Sequence, residues 1–367
     1  MNISSAVIFG GATGWGKRIY DSVDTIIDEV SIIEVGASPT ETIDFVKKCD
    51  LIFIAIPDSQ INSKLIEIRN FLRKDQIVIE CATSKSGFSN TLKEIAVSGV
   101  SVCSTHPMVM PASSPKGYNV LIMPIGNNFE KAKKIAEQIY LKMDMIPQDF
   151  EFENHADAMV IVQMVPHLVQ RILIDSLGHG VSMKNMTIED ISRIAPANYI
   201  LAELGLGRVA VQRTSVSAGI VATGLQNSFG RRILGGMQSI IGRIISAGDN
   251  REELEEIFQS GITTLDPAGV WRHGMEIKTE AALIRLGNLR SKSFSLQAPN
   301  KPNVLRDILN ILEKYDIDMT ALDSQILSDN DGNIFAKFDI GASDINFNSL
   351  SLKNDLEKIG VVLLCTD

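Results

Sequence analysis

From residue 5 to about 150, short apolar runs rich in β-branched residues alternate with amphipathic stretches. The runs are AVIFG, SIIEV, LIFIAIP, QIVIECA, VSVCSTHP and NVLIMPIG, and the stretches between them include ETIDFVKKC and SQINSKLIEIRNFLR. Such alternation predicts strands and helices in βαβ units with right-handed crossovers around a mostly parallel sheet, an α/β doubly wound domain over residues 1–150. From ENHADAMVIVQMV to ALIRLGNLR the chain is rich in helix formers, with few β runs and punctuation mainly by Gly and Pro, which predicts an all-α domain over 151–290. After that the pattern changes again. SFSLQA, NVLRDILNILEKYD, ALDSQILS, NIFAKFDIG, SLKNDLEKIG and VVLLC read as β, α, β, β, α, β, with the turn DNDGN between the middle strands. That order predicts a ferredoxin-like βαββαβ module over 291–367.

Composition narrows the function. The 367 residues are 45% hydrophobic and 22% charged, ordinary globular material with room for two or three domains. A formal net charge of -9 argues against a general nucleic-acid or membrane-surface binder, so an anionic ligand would need a local arginine cluster. Cys49, Cys81, Cys103 and Cys365 show no CxxC spacing, and three of them sit in apolar, strand-like surroundings. They read as buried thiols of a reducing compartment, with no disulfide and no zinc site. MNISSAVIFGG has no secretory pattern, and no later run reads as a membrane span, so a cytoplasmic protein is expected.

The segment VIFGGATGWGKRI puts a glycine cluster after a strand and before a helix, where free helix N-terminal amides hold a pyrophosphate. Against G-x-G-x-x-G, Gly11 and Gly16 take the first and third places, while Thr13 falls in the second and Gly14 follows it. The cofactor candidates are therefore Gly11, Ala12, Thr13, Gly14, Trp15 and Gly16 in a Rossmann-type fold, with Pro57 closing LIFIAIP. Glu34, about twenty residues on, suits the adenosine ribose hydroxyls and repels a 2′-phosphate, which favours NAD over NADP. The plain alternatives are a tight strand-to-helix turn without a nucleotide and a solvent-facing Glu34.

Of five histidines, His106 follows VSVCS at the carboxyl edge of the expected sheet and precedes Pro107, so it is either a base presented to a ligand or a turn residue. His155 and His167 share one helical stretch, with Met159 and Gln163 at the intermediate steps of four. His155, near the helix start, reads as a core or cap histidine satisfied by a backbone carbonyl. No HExxH-type spacing occurs. Arg171, Arg193 and Arg213 read as surface charges, whereas Arg208 in LGLGRVAVQ has nearly apolar neighbours and must pair with a carboxylate of the protein or a ligand.

Taken together, GGATGWG, ECATSK, STHPMVMPASSPKGYNVLIMP, HADAMVIVQMVPHLV and ANYILAELGLGRVAVQ resemble the prephenate/arogenate dehydrogenase family of tyrosine biosynthesis, followed by an ACT-type regulatory domain. The resemblance implies an NAD(P)-dependent dehydrogenase that oxidatively decarboxylates prephenate, or arogenate, with no metal. It implies that His106 is the catalytic histidine and that Thr83 and Lys85 lie beside the nicotinamide. It also implies that His167, Arg208 and Gln163 face the substrate. Two departures stand out: Thr13 in place of the middle glycine, and Asn303 in NKPNVL, where the ACT turn usually has glycine after proline. Asn tolerates left-handed backbone angles, so the turn is compatible with it. Tyrosine is the effector expected at that domain. A homodimer is expected because FGRRILGGMQSIIGRII is more apolar than one helical layer buries.

Two rivals remain open at this level. A β-hydroxyacid dehydrogenase would use a lysine of the helical domain, which offers only Lys184 and Lys278, neither in a matching context. A non-catalytic amino-acid sensor built on a degenerate dehydrogenase is the rival of a different class.

Overall fold

The computed structural model describes residues 3–34, 36–291, 293–328, 334–342 and 350–364, with the side chains at 208, 285, 288–291, 293 and 328 outside the description. Two compact units divide the chain, Met1–Met186 with Gly205–Ser239, and Thr187–Leu204 with Ile240–Asp367.

The first unit is built on a seven-stranded sheet of β1 (Ser5–Phe9), β2 (Glu29–Ile33), β3 (Leu51–Ile54), β4 (Ile77–Glu80), β5 (Ser101–Pro107), β6 (Asn119–Ile125) and β7 (Ile146–Asp149). Its order is β2-β1-β3-β4-β5-β6-β7, parallel throughout except for the antiparallel β5–β6 pair. That exception follows from chain length, because residues 108–118 between the two strands leave too little chain for a crossover helix. Side chains of the central strands alternate between two cores: Val7, Phe9, Ile52 and Ile54 on one face, Ala6, Ile8, Leu51 and Phe53 on the other. Burial on both faces explains why these strands read as continuous apolar runs.

Two strands depart from the sequence pattern. The expected SIIEV strand begins earlier, at Glu29, because an edge strand is set by backbone pairing, here Ser5 with Glu29, and not by burial. Strand β7, with the sequence IPQD, was not anticipated, since a mostly exposed edge strand carries little apolar signal.

After the sheet the chain enters a long helical stretch: His155–Met159, a π-helical turn Val160–Met164, then a helix Val165–Lys184. Pro166 explains the turn, because it has no amide to give the helical ladder. The chain widens there instead, and the Val165 amide donates to the Val160 carbonyl. Helix Thr214–Gln226 packs closely on this turn, and only glycine fits at the contact: a Cβ on Gly224 would lie 2.4 Å from Met164 Sδ. Phe152–Lys184 is long and apolar enough, by length and composition only, to cross a membrane, with a mean hydropathy of 1.3 over an 18-residue window, which the apolar runs of the sequence did not suggest. The same stretch carries the buried His155, so a part of it is the wall of a polar site.

In the second unit, β8 (Ser293–Pro299), β9 (Met319–Ser328), β10 (Ile334–Ala342) and β11 (Val362–Leu364) form an antiparallel sheet of order β11-β8-β10-β9. Helices Val304–Lys314 and Leu350–Lys358 cover it, completing the βαββαβ order. Val304, Ile308 and Leu312, spaced by four, meet Leu352 and Leu356 and the strand residues Phe294, Leu296, Phe338 and Ile340 in one core. Asn303 takes the left-handed conformation, φ +68°, immediately before its helix, the backbone that asparagine was expected to tolerate. The turn DNDGN and Cys365 lie outside the described residues.

Candidate active site

The carboxyl ends of β1, β3, β4 and β5 deliver the chemistry-bearing segments to one edge of the sheet. The strand order reverses between β2-β1 and β3, the position where open α/β sheets bind their ligands. Directly after β1 the glycine turn enters helix Gly14–Val23. Gly10 and Gly14 have φ of +81° and +57°, and a Cβ on Gly16 would lie 1.9 Å from the Gly10 carbonyl oxygen. The backbone therefore demands glycine at 10, 14 and 16, and Thr13 sits at an extended position any residue can take. The middle-glycine departure is a shift of register within the cluster. Thr13 makes no side-chain cap, so the first amides of that helix stay open to an anion. Glu34 Oε1 accepts from the Ala12 amide at 2.8 Å, tying the end of β2 to the same turn.

Beside this edge lies a cavity of about 780 Å³. Of the residues expected at the site, Trp15, Thr83, Lys85, His106 and Gln163 line it, joined by Asp58, Cys81, Met108, His155 and Met159. Helix Thr214–Gln226 closes one side through Val216, Ile220 and Thr223. Gly11, Ala12, Thr13, Gly14, Gly16, Glu34 and Pro57 are outside its lining. His167 is also outside it, with Nδ1 3.4 Å from Ser217 Oγ. The π turn explains this, since an inserted residue rotates every later position away from the face shared by His155, Met159 and Gln163. Arg208 belongs to helix Ala197–Val211, but its side chain lies outside the description.

His106 is a strand residue, paired with Leu121 of β6 and 3% exposed, which removes the turn alternative. Its Nδ1 lies 3.0 Å from Nε2 of His155. His155 is 2% exposed and meets another imidazole where a backbone carbonyl had been expected. Burial, with the Lys85 ammonium nearby, holds His106 well below the usual imidazole range and lowers His155 to about 3. Both rings are neutral at physiological pH.

Lys85 is 6% exposed and its ammonium is fully engaged inside the protein. It donates to Glu80 Oε1 at 2.8 Å, to Glu80 Oε2 at 3.0 Å, and to the carbonyls of Ala82 and Thr105 at 2.5 and 2.8 Å. Glu80, wholly buried, also accepts from the Ala82 amide and the Ser104 hydroxyl. Thr105 bonds the Glu80 carbonyl and Tyr140, so the strand carrying His106 rests on a satisfied polar network. Glu80 was not singled out from the sequence, nor was Arg18. That arginine donates to the carbonyls of Pro111 and Ser113 and fixes the loop that follows His106. Arg171, expected on the surface, is part-buried and donates to the carbonyls of Val209, in the last turn of helix Ala197–Val211, and of Gln212, just past its end.

Comparison with known proteins shows what the chain is similar to. Residues 18–120 match the nucleotide-binding domain of prephenate dehydrogenase. A curated Methanocaldococcus jannaschii protein, "Probable arogenate/prephenate dehydrogenase", is 25% identical over 194 residues, 51% of this chain. The chain spans only 42% of that relative's length. Among solved structures, Synechocystis arogenate dehydrogenase superposes with a TM-score of 0.52 at 12% identity, covering 72% of this chain and 99% of that one. Prephenate dehydrogenase from Aquifex aeolicus, in complex with hydroxyphenyl propionate and NAD+, gives 0.50 at 17% identity with the same coverage. At these identities the structural likeness is one of fold.

Proposed function

We propose that this chain, whose residues 18–120 match the nucleotide-binding domain of prephenate dehydrogenase, oxidises prephenate to 4-hydroxyphenylpyruvate. The observation that carries this is the buried, neutral His106 lining a cavity at the switch point of a nucleotide-binding sheet. The turn Gly10–Gly16 has the close backbone approach and open helix amides that a dinucleotide pyrophosphate requires, so the site fits NAD. Bound there, NAD+ supplies the hydride acceptor. Glu34 favours NAD over NADP because its carboxylate repels a 2′-phosphate.

The chain's own residues then have three tasks. Prephenate is a cyclohexadienol whose ring carboxylate stands para to the hydroxyl carbon. As hydride leaves that carbon, His106 takes the hydroxyl proton, so a carbonyl forms without developing alkoxide charge. The carbonyl is vinylogous to the carboxylate. The C–C bond to the carboxylate breaks, its electron pair enters the ring and reaches the carbonyl oxygen, and CO2 leaves as the ring becomes aromatic. His106 can return its proton to that oxygen. Thr83 contributes a hydroxyl beside the nicotinamide, and Gln163 and Arg208 hold the substrate, Arg208 through a carboxylate. Lys85 stays with Glu80 and acts on the site through its charge.

The same reading divides the chain into a Rossmann domain (1–150), a helical substrate and dimerisation domain (151–290) and an ACT-like domain (291–367) with tyrosine as effector. Exposed Ile161, Val162, Val169 and Ile172 in the first unit, and Ile240, Ile241 and Ile245 in the second, support a homodimer that covers them. The expected location is the cytoplasm. The decisive experiment offers purified protein NAD+ or NADP+ with prephenate and arogenate separately, following reduced cofactor by absorbance. Turnover with prephenate and NAD+ is expected. Turnover with arogenate alone would reassign the substrate, and none with any pair would favour the amino-acid sensor. His106→Asn should lower kcat by roughly 10²- to 10⁴-fold with a modest change in KM.

A further inference from the structure

His106 has two ring nitrogens, and only one of them is left for a ligand. Nδ1 is committed to His155 Nε2 at 3.0 Å, the rings meeting edge-on at 61° with centroids 5.2 Å apart. Nε2 has no partner among the described residues of a side chain that lines the cavity. A neutral imidazole carries one N–H and one lone pair, so the shared hydrogen bond admits two arrangements. If His155 Nε2 holds the proton, it donates to His106 Nδ1, and His106 must carry its own proton on Nε2. That ring cannot take a proton from a substrate. If His106 Nδ1–H donates to His155 Nε2, the Nε2 lone pair of His106 is free.

The surroundings decide what kind of partner His155 is. The charged group that acts on both rings is Lys85, held by Glu80 and donating to the carbonyl of Thr105; Cys81 and Asp58 line the same cavity, and Asp58 Oδ2 accepts from the Ser84 amide at 2.9 Å. No carboxylate bonds either ring among the described residues. His106 thus has a neutral hydrogen-bond acceptor at the place where a carboxylate would raise its basicity. When such a partner accepts, it leaves His106 neutral with its Nε2 lone pair ready for a proton.

We propose that His155 is a positioning residue for the reaction: accepting at Nε2, it holds His106 in the Nδ1–H form and so keeps the His106 Nε2 lone pair toward the substrate hydroxyl. This rests on His106 being the base. When the hydroxyl O–H bond breaks, the proton bonds to His106 Nε2, and the imidazolium donates a stronger, charge-assisted bond to His155 through Nδ1. No further proton leaves the pair.

Nitrogen-15 NMR of the imidazoles tests the tautomer in the wild-type protein, with His106→Asn assigning the signal. Nδ1–H on His106 is expected, and Nε2–H would overturn the proposal. In His155→Leu, which removes the acceptor, kcat should fall roughly 10- to 100-fold with KM changed by no more than about threefold. His155→Gln, whose amide oxygen can accept, should recover most of the rate. Unchanged kcat in a folded His155→Leu also overturns the proposal. The two ideas fail separately: full kcat in His106→Asn removes the base, whereas the tautomer is read without turnover. Because the NMR measurement needs no His155 variant, a variant that does not fold leaves the proposal open to refutation.

Discussion

Glu80→Ala removes the carboxylate that holds Lys85, and the structure sets the size of the effect. Glu80 is 0% exposed and Lys85 6%, so the ammonium left behind has no water to replace its lost partner. Breaking a buried pair from one side costs about 3–5 kcal/mol, because the remaining charge is uncompensated. Four contacts to the carboxylate are lost together: two from Lys85, one from the Ala82 amide and one from the Ser104 hydroxyl. Removing both charges is different. In Glu80→Leu with Lys85→Met the desolvation of two ions disappears with their attraction, and what remains unsatisfied is the Ala82 amide and carbonyl, the Thr105 carbonyl and the Ser104 hydroxyl. At about 1 kcal/mol for each of these four buried groups, the double variant should lose about 4 kcal/mol, well short of the about 6–10 kcal/mol that the two single variants cost together. Urea unfolding at constant pH measures both, read as a change of midpoint at unchanged slope. The double variant offers a second reading, since Lys85 lowers the pKa of both His106 and His155 and its loss should move the acid limb of the rate profile to higher pH. A single-variant cost below about 1 kcal/mol, or a double-variant cost equal to the sum of the singles, would refute the buried-pair argument.

Three further outcomes follow from the geometry. Gly16→Ala places a Cβ 1.9 Å from the Gly10 carbonyl oxygen, so the turn must open by an ångström or more; NAD+ affinity by calorimetry should weaken roughly 10²-fold, and wild-type affinity would mean the turn does not hold the cofactor. The pH dependence of stability has a definite sign: His155 is held at about 3 in the fold against an ordinary value of 6.5, so its contribution is complete above pH 6.5 and is lost as pH falls toward 3. Between pH 7.5 and 5.5 that amounts to about 1.4 kcal/mol, with His106 adding in the same direction, and urea midpoints that do not move over this range would contradict it. Arg208→Ala should chiefly raise the substrate KM; a wild-type KM removes that residue from the site.

Much of the fold was legible because buried parallel strands have a signature that survives without context. LIFI and IVIE are apolar on both faces, whereas IPQD, exposed at the edge, is specified only by backbone pairing with β6. The stripe His155, Met159, Gln163, His167 was read as one helical face, and three of its four members do line the cavity. The fourth was turned away by a π-helical turn whose cause, Pro166, stood in the sequence one residue before it. The meeting of His106 and His155 had no local signal, since 49 residues and a change of secondary structure separate them. Glu80 is a different case. A carboxylate among IVIECA must find a cation when the strand is buried, because an isolated ion is not tolerated there. Lys85, five residues on in the loop that follows the same strand, is the cation within shortest reach. The ion pair was therefore written in IVIECATSK, and it explains how a lysine that lines the cavity also ties Glu80 to the strand that carries the histidine.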